Sequence, residues 1–214
     1  MSAESDLAVL VFARAPTAGR AKSRLIPALG ADGAARLQQR MTERALATAC
    51  AAGVGTVSLW CTPSTRHPFF AACRANHRVT LHLQSGADLG ERLLHAHDRA
   101  FAASRRLLVI GTDCPILTGE DLRAAAADLQ HHDAVIVPAR DGGYVLLGLA
   151  RPCSAVFRGI AWGSAQVLDQ TLARLHAEDL SCCVRGPMWD VDRPDDLDRL
   201  AACMPAMLAG LPRK

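Results

Sequence analysis

Residues 105–130, RRLLVIGTDCPILTGEDLRAAAADLQ, decide the fold. Leu107 to Ile110 form an unbroken apolar run, as expected of a strand covered on both faces. Gly111-Thr112-Asp113-Cys114-Pro115 ends the run in a turn, and Thr118 with Asp121 three residues on opens a helix in capping-box fashion. A buried strand passing through a short turn into a helix is the repeating half of an α/β architecture.

Working outward, the same alternation recurs. Leu7 to Phe12 reads as a buried strand, and GADGAARLQQRMTERALATACAAG (30–53) as a helix with Leu37, Met41, Ala45 and Thr48 near one face. Val54 to Cys61 is a second strand, followed by a Pro-containing segment and a short helix. RVTLHLQS (78–85) alternates like a third strand, and DLGERLLHAHDRAFAAS (88–104) is helical. Downstream, DAVIVPARDGGYVLLGLAR (133–151) reads as strand, glycine turn and strand, so a small antiparallel element is expected late in the sheet. A helix over about 163–176, a short strand LSCCV (180–184) and a last helix with Pro194 in its first turn complete the pattern. The expected fold is Rossmann-like α/β, a mostly parallel sheet with helices on both faces.

The chain has 214 residues, suiting a single domain over 1–214, and 50% of them are apolar but only 4% aromatic, so its core must be Ala, Leu, Val and Ile. A net charge of +3 without a basic face excludes nucleic acid as the expected partner. The N-terminus MSAESDLAVLVF lacks the basic start of a signal peptide, and no apolar run approaches the ~18 residues of a membrane span. A cytoplasmic location is expected. The eight cysteines form no Cys-x-x-Cys pair and read as small packed thiols.

In parallel α/β sheets ligands bind beyond the carboxyl ends of the strands, so residues just after each run are compared. After the first strand comes ARAPTAGRAKSRL (13–25), with Arg14, Arg20, Lys22 and Arg24; after the strand 107–110 come Thr112 and Asp113. Asp141-Gly142-Gly143 follows Val135 to Val137, and Asp190-Val191-Asp192 comes near the end. A nucleotide with Mg²⁺ or Mn²⁺ needs this combination: cations for phosphate, and a few carboxylate oxygens for the metal. Losing one such preorganised contact typically costs ~2.7–4 kcal/mol of barrier, roughly a hundredfold or more in rate.

Taken singly, each piece has a plainer reading. The basic loop lacks both the Walker A and the Gly-x-Gly-x-x-Gly patterns and reads as solvated surface. Asp113 reads equally as a turn residue, Asp190 and Asp192 as caps of the last helix, and Asp141-Gly142-Gly143 as a turn. His95 and His97, two apart on a helix, make a poor metal pair. Cys114 reads as a packed thiol, and Trp60, Trp162 and Trp189 as core or pocket wall. Convergence on one sheet edge favours the site.

The ordered set Pro-x-x-Gly-x-x-Lys-Ser-Arg-Leu (16–25), Asp-Leu-Gly-Glu-Arg (88–92), Gly-Thr-Asp-Cys-Pro-x-Leu (111–117), Pro-Ala-x-Asp-Gly-Gly-Tyr-x-Leu-x-Gly-Leu (138–149), Ile160-x-Trp162 and Asp-x-Asp-x-Pro-x-Asp-Leu (190–197) resembles a bacterial family of GT-A-type glycosyltransferase-like proteins. That family lies within the nucleotide-diphospho-sugar transferase superfamily, and the set is more distantly similar to phospholactate and molybdopterin guanylyltransferases. Ser23 stands where the family usually has Thr, and Arg193 where Thr usually precedes the Pro.

The resemblance implies a nucleotide-diphospho-sugar transferase fold whose first loop binds donor phosphates and whose Asp113 and late aspartates hold metal. The expected nucleotide and phosphate set is Arg14, Gly19, Arg20, Lys22, Arg24, Arg92 and Thr112; the metal set is Asp113, Asp190 and Asp192. Asp141 and Asp190 are the expected catalytic carboxylates, and Asp141, Gly142, Gly143, Tyr144, Trp162 and Trp189 line the expected acceptor pocket. The expected activity is metal-dependent transfer from a nucleotide sugar to a small-molecule acceptor. The alternatives are nucleotidyl transfer from an NTP with pyrophosphate release, and non-catalytic nucleotide binding; a homodimer is compatible with any of these.

Overall fold

The computed structural model describes residues 6–212, so the acidic N-terminal stretch 1–5 that bears on the leader reading lies outside the described residues. Seven strands form one sheet, β1 Leu7–Arg14, β2 Thr56–Thr62, β3 Thr80–Leu83, β4 Arg106–Ile110, β5 Ala134–Pro138, β6 Tyr144–Leu149 and β7 Cys182–Val184, in the order β3-β2-β1-β4-β6-β5-β7. β6 runs antiparallel to both β4 and β5, and the other pairings are parallel. The late hairpin expected from Asp141-Gly142-Gly143 is therefore present, and its second strand inserts between β4 and β5 rather than adding to an edge.

Both faces are covered, as the continuous apolar strands require. One face packs Val9, Val11, Leu108, Ile110, Val135 and Val137 under α1 Ile26–Ala52, α2 Pro68–His77 and α4 Gly119–Asp128. The opposite face packs Leu10, Leu107, Val109, Ile136 and Leu147 under α3 Leu89–Phe101 and α5 Val167–Ala177. A third cluster joins Leu25, Leu29 and Met41 to Val191 and to Leu197 and Leu200 of α6 Asp196–Cys203. It holds the late aspartate segment against the first loop.

Several local readings shift. α1 begins at Ile26, and its backbone leaves the helical region at Gly30, φ 69° and ψ 168°, so the run read from Gly30 is its main part. That helix buries Leu46 and Ala49 along with Leu37 and Met41, while Ala45 and Thr48 are only half-buried. α5 starts at Val167 rather than near Gly163, because residues 163–166 serve as a loop beside the sheet. Pro194 lies in the turn ahead of α6, not inside its first turn. The Thr118–Asp121 capping box forms as read, both halves present.

All eight cysteines are free; Cys61, Cys73 and Cys153 are buried, but Cys203 is exposed and departs from the packed-thiol reading. Among the described residues no helix is long and apolar enough to cross a membrane.

Candidate active site

The strand order reverses between β1 and β4: β2 and β3 lie to one side of β1, and all later strands lie beyond β4. A crevice opens at such a reversal, at the carboxyl ends of the flanking strands. A cavity of about 580 Å³ occupies this position. Arg14, Arg20, Lys22, Ser23 and Arg24 line it from the first loop and its continuation, Arg92 from α3, Gly111, Thr112 and Asp113 from the turn after β4, and Asp192 from the late segment.

The loop after β1 is folded by its own backbone, with the Arg20 and Ala21 amides donating to the Thr17 carbonyl at 3.0 and 2.9 Å. Lys22 adopts φ 47°, a left-handed conformation uncommon for a residue with a Cβ. Its ammonium is anchored: Nζ donates to the Val191 carbonyl at 2.5 Å and pairs with Asp113 Oδ1 at 2.9 Å, with the side chain only 5% exposed. Arg24 pairs with the Asp192 carboxylate in the same way, though at an exposed position. The cationic loop and the aspartates thus neutralise one another directly. Arg14 and Arg20 are exposed and make no ion pair among the described residues, while Arg92 donates from Nε to the Gly86 carbonyl at 3.0 Å.

Asp113 is oriented from behind by groups the sequence reading missed. Gln38 of α1, 3% exposed, donates from Nε2 to Thr112 Oγ1 at 3.1 Å, and the Thr112 hydroxyl donates to Asp113 Oδ1 at 3.3 Å. The signal for Gln38 was present, since it sits with Thr42 on the apolar stripe of α1, and buried polar side chains there need partners. Gln84 is a second missed member, lining the cavity while its amide donates to the Trp60 carbonyl at 2.8 Å and the Ala13 carbonyl at 3.2 Å. The late segment is docked by backbone bonds, Met188 N–H to the Pro138 carbonyl and Val191 N–H to the Asp113 carbonyl, at 2.9 and 2.8 Å. Those bonds bring Asp190 and Asp192 beside the turn after β4. Neither caps α6: the Asp196 carboxylate instead accepts from the Asp192 and Arg193 amides.

Asp190 is half-buried, and its carboxyl is pushed up to about 6 by burial, then by the neighbouring Asp141 and Asp113 charges, with Lys22 opposing. Like charges are therefore crowded around Asp190. Among the described residues, however, no group of three or more acidic, histidine or cysteine side chains forms a cage that could hold a metal ion. Hard oxygen donors in this number suit a divalent cation that keeps waters and phosphate oxygens as its other ligands, not one held by protein alone. Cys114 lies in the same turn, and burial pushes its thiol up to about 12, which keeps it protonated and inert.

The expected acceptor residues separate. Asp141, Gly143, Tyr144 and Trp162 line a second, smaller cavity beside the first. Gly142 has φ +90° and lies so close to Ala165 that an added Cβ would sit 2.2 Å from its carbonyl oxygen; its role is to let the hairpin turn pack on the 163–166 loop. Trp189 lies under the Arg199 guanidinium, 5.4 Å from the ring centroid, and joins Arg140, Asp141, Asp190 and Asp192 in a shallower recess, so that Asp190 lines this recess and not the first cavity. Gly19 shapes the first loop with φ +77° and does not line the cavity. His97 is a buried core residue, its Nε2 accepting from the Cys153 amide at 3.0 Å.

Comparison with known proteins agrees with this fold. Residues 45–164 match the model of a family described as "Uncharacterized protein conserved in bacteria (DUF2064)". No curated protein matches the chain. Among solved structures, a protein of Desulfovibrio desulfuricans G20 provisionally named a nucleotide-diphospho-sugar transferase superposes with a TM-score of 0.85 at 31% identity, covering 96% of this chain and 93% of that one. 4-Diphosphocytidyl-2C-methyl-D-erythritol synthase of Anaerococcus prevotii shares the fold, with a TM-score of 0.63 at 10% identity over 92% and 96% of the two chains. A Mycobacterium tuberculosis H37Rv protein solved in complex with manganese does so too, at 0.55 and 17% identity over 93% and 100%.

Proposed function

The chain belongs to this bacterial DUF2064 family, and from that premise we propose that it is a metal-dependent transferase drawing on a nucleotide-activated donor, a nucleotide sugar, to glycosylate a small-molecule acceptor. The observation that carries the reading is the meeting of Arg14, Arg20, Lys22 and Arg24 with Asp113 and Asp192 around one cavity at the strand-order reversal. The fold shared with nucleotide-handling transferases supports it.

Arg14 and Arg20 receive the donor diphosphate, and Lys22 and Arg24 exchange their carboxylate partners for phosphate oxygens. Asp113 and Asp190, with Asp192 beside them, are the residues that would hold Mg²⁺ or Mn²⁺, which when bound neutralises charge on the leaving diphosphate. A manganese complex of a protein sharing the fold is consistent with that assignment. In the reaction the acceptor oxygen forms a bond to the anomeric carbon. The bond from that carbon to the diphosphate oxygen breaks with its electron pair, and the nucleoside diphosphate leaves. Asp141 at the cavity rim takes the acceptor's proton.

Product analysis tests the class. Incubation with a panel of nucleotide sugars, and separately with NTPs and sugar phosphates, is expected to release nucleoside diphosphate from the former. Pyrophosphate release from an NTP would replace glycosyl by nucleotidyl transfer, and nucleotide binding without turnover in either panel would leave a binding protein.

A further inference from the structure

The second cavity names the acceptor's chemistry, an inference that rests on reading the first cavity as the donor site. The two share Phe12, Leu89 and Gly111, so a molecule in one reaches the other. The second measures about 210 Å³ and is walled by Leu93, Val109, Val145, Trp162 and Val167. Trp162 is set in place: its indole lies against α3 at Gly90, where an added Cβ would come within 2.3 Å of Nε1, and it meets Tyr144 edge-on at 6.3 Å. The Tyr144 hydroxyl is buried near Thr171.

Asp141 is the one charged residue on this lining among the described residues, and neither lysine nor arginine reaches it. A phosphate or carboxylate placed here would lose its hydration, find no cation and face a carboxylate. A body of hydrocarbon loses nothing and gains the walls. Size sets its scale, since an apolar cavity of ~150 Å³ accommodates a benzene ring. We propose that the acceptor is a neutral alcohol with a compact apolar body, a single ring or a branched chain of similar bulk, seated between Trp162 and Leu93 with its hydroxyl at the Asp141 rim.

The test is an NMR titration of the ¹⁵N-labelled full chain with benzyl alcohol, benzyl phosphate and glucose. Benzyl alcohol is expected to shift the Trp162 indole N–H and the Gly143 and Gly163 amides saturably, and benzyl phosphate and glucose to bind there about tenfold or more weakly. Trp162→Ala should weaken benzyl alcohol about fivefold. Should that variant fold poorly, Ser164→Arg, at an exposed position on the same lining, should reverse the preference and draw benzyl phosphate in. Benzyl phosphate or glucose binding these amides as tightly as benzyl alcohol, or benzyl alcohol leaving them unmoved, would overturn the proposal. Titrating the same sample with UDP, GDP and CDP reads the first cavity separately, at residues that do not line the second: silence at the Ser23 and Thr112 amides would remove the donor-site reading without touching the alcohol result.

Discussion

At the residue scale the decisive group is Lys22. Its place in a cationic loop is legible in the sequence, but its partners are not, because Asp113 and Val191 are brought to it by strand order and by backbone docking of the late segment. The ammonium sits nearly buried against the Asp113 carboxylate with Asp190 close by, so it offsets charge that would otherwise repel. Lys22→Met should cost about 1–3 kcal/mol in urea unfolding, less than a fully buried pair because Asp113 is half-exposed. Adding Asp113→Asn should recover part of that loss, a positive coupling in the double-mutant cycle. Additive losses would mean that the pair carries no specific interaction. Gln38 was missed for a related reason: its partner Thr112 lies on another element, and the helix pattern registers only that a polar residue stands on an apolar stripe.

At the scale of elements, periodicity finds strands and helices because their buried faces repeat along the chain. What it cannot find is the neighbour each strand takes, and so the insertion of β6 between β4 and β5 was not legible, although its hairpin was. The last strand illustrates how such pairings are secured. β7 has three residues and little apolar burial of its own, and it is flanked by two polar clasps. Arg185 donates to Asp128 at 2.6 Å, and the Ser181 amide and hydroxyl donate to Asp133 at 2.9 and 2.8 Å. The Arg185 hydrogen bond holds the Asp128 carboxyl below its ordinary range, and the Ser181 bonds do the same for Asp133. A depressed carboxyl contributes stability that is present above its unfolded value near 3.8 and is lost as pH falls through the lower folded value. Asp128→Asn should therefore cost about 1 kcal/mol at neutral pH and progressively less below pH ~3.8, with faster amide exchange confined to β7. An equal cost at both pH values would assign the loss to packing instead of charge.

Over the whole molecule, the loop, the turn after β4 and the late aspartates were each ordinary as isolated motifs, and their meeting is a property of the fold. The edge on which they converge was legible, because successive parallel strands deliver their carboxyl ends to one side. The separation into a charged cavity and a smaller apolar one was not, because it depends on where Trp162 and the 163–166 loop come to rest against α3 and the hairpin turn. The charged cavity makes the proposal specific: its arginines are expected to bind a nucleotide's phosphates.

That claim is tested most directly by calorimetric titration of the wild type and of Arg14→Ala/Arg20→Ala with UDP, GDP, CDP and ADP in the presence of Mn²⁺. Both arginines are exposed and free of ion pairs among the described residues, so the double variant should keep the wild-type unfolding midpoint. The account predicts saturable binding of at least one nucleotide by the wild type and a loss of about tenfold or more in the variant. No nucleotide bound by the wild type, or one bound equally well without the two arginines, would contradict it.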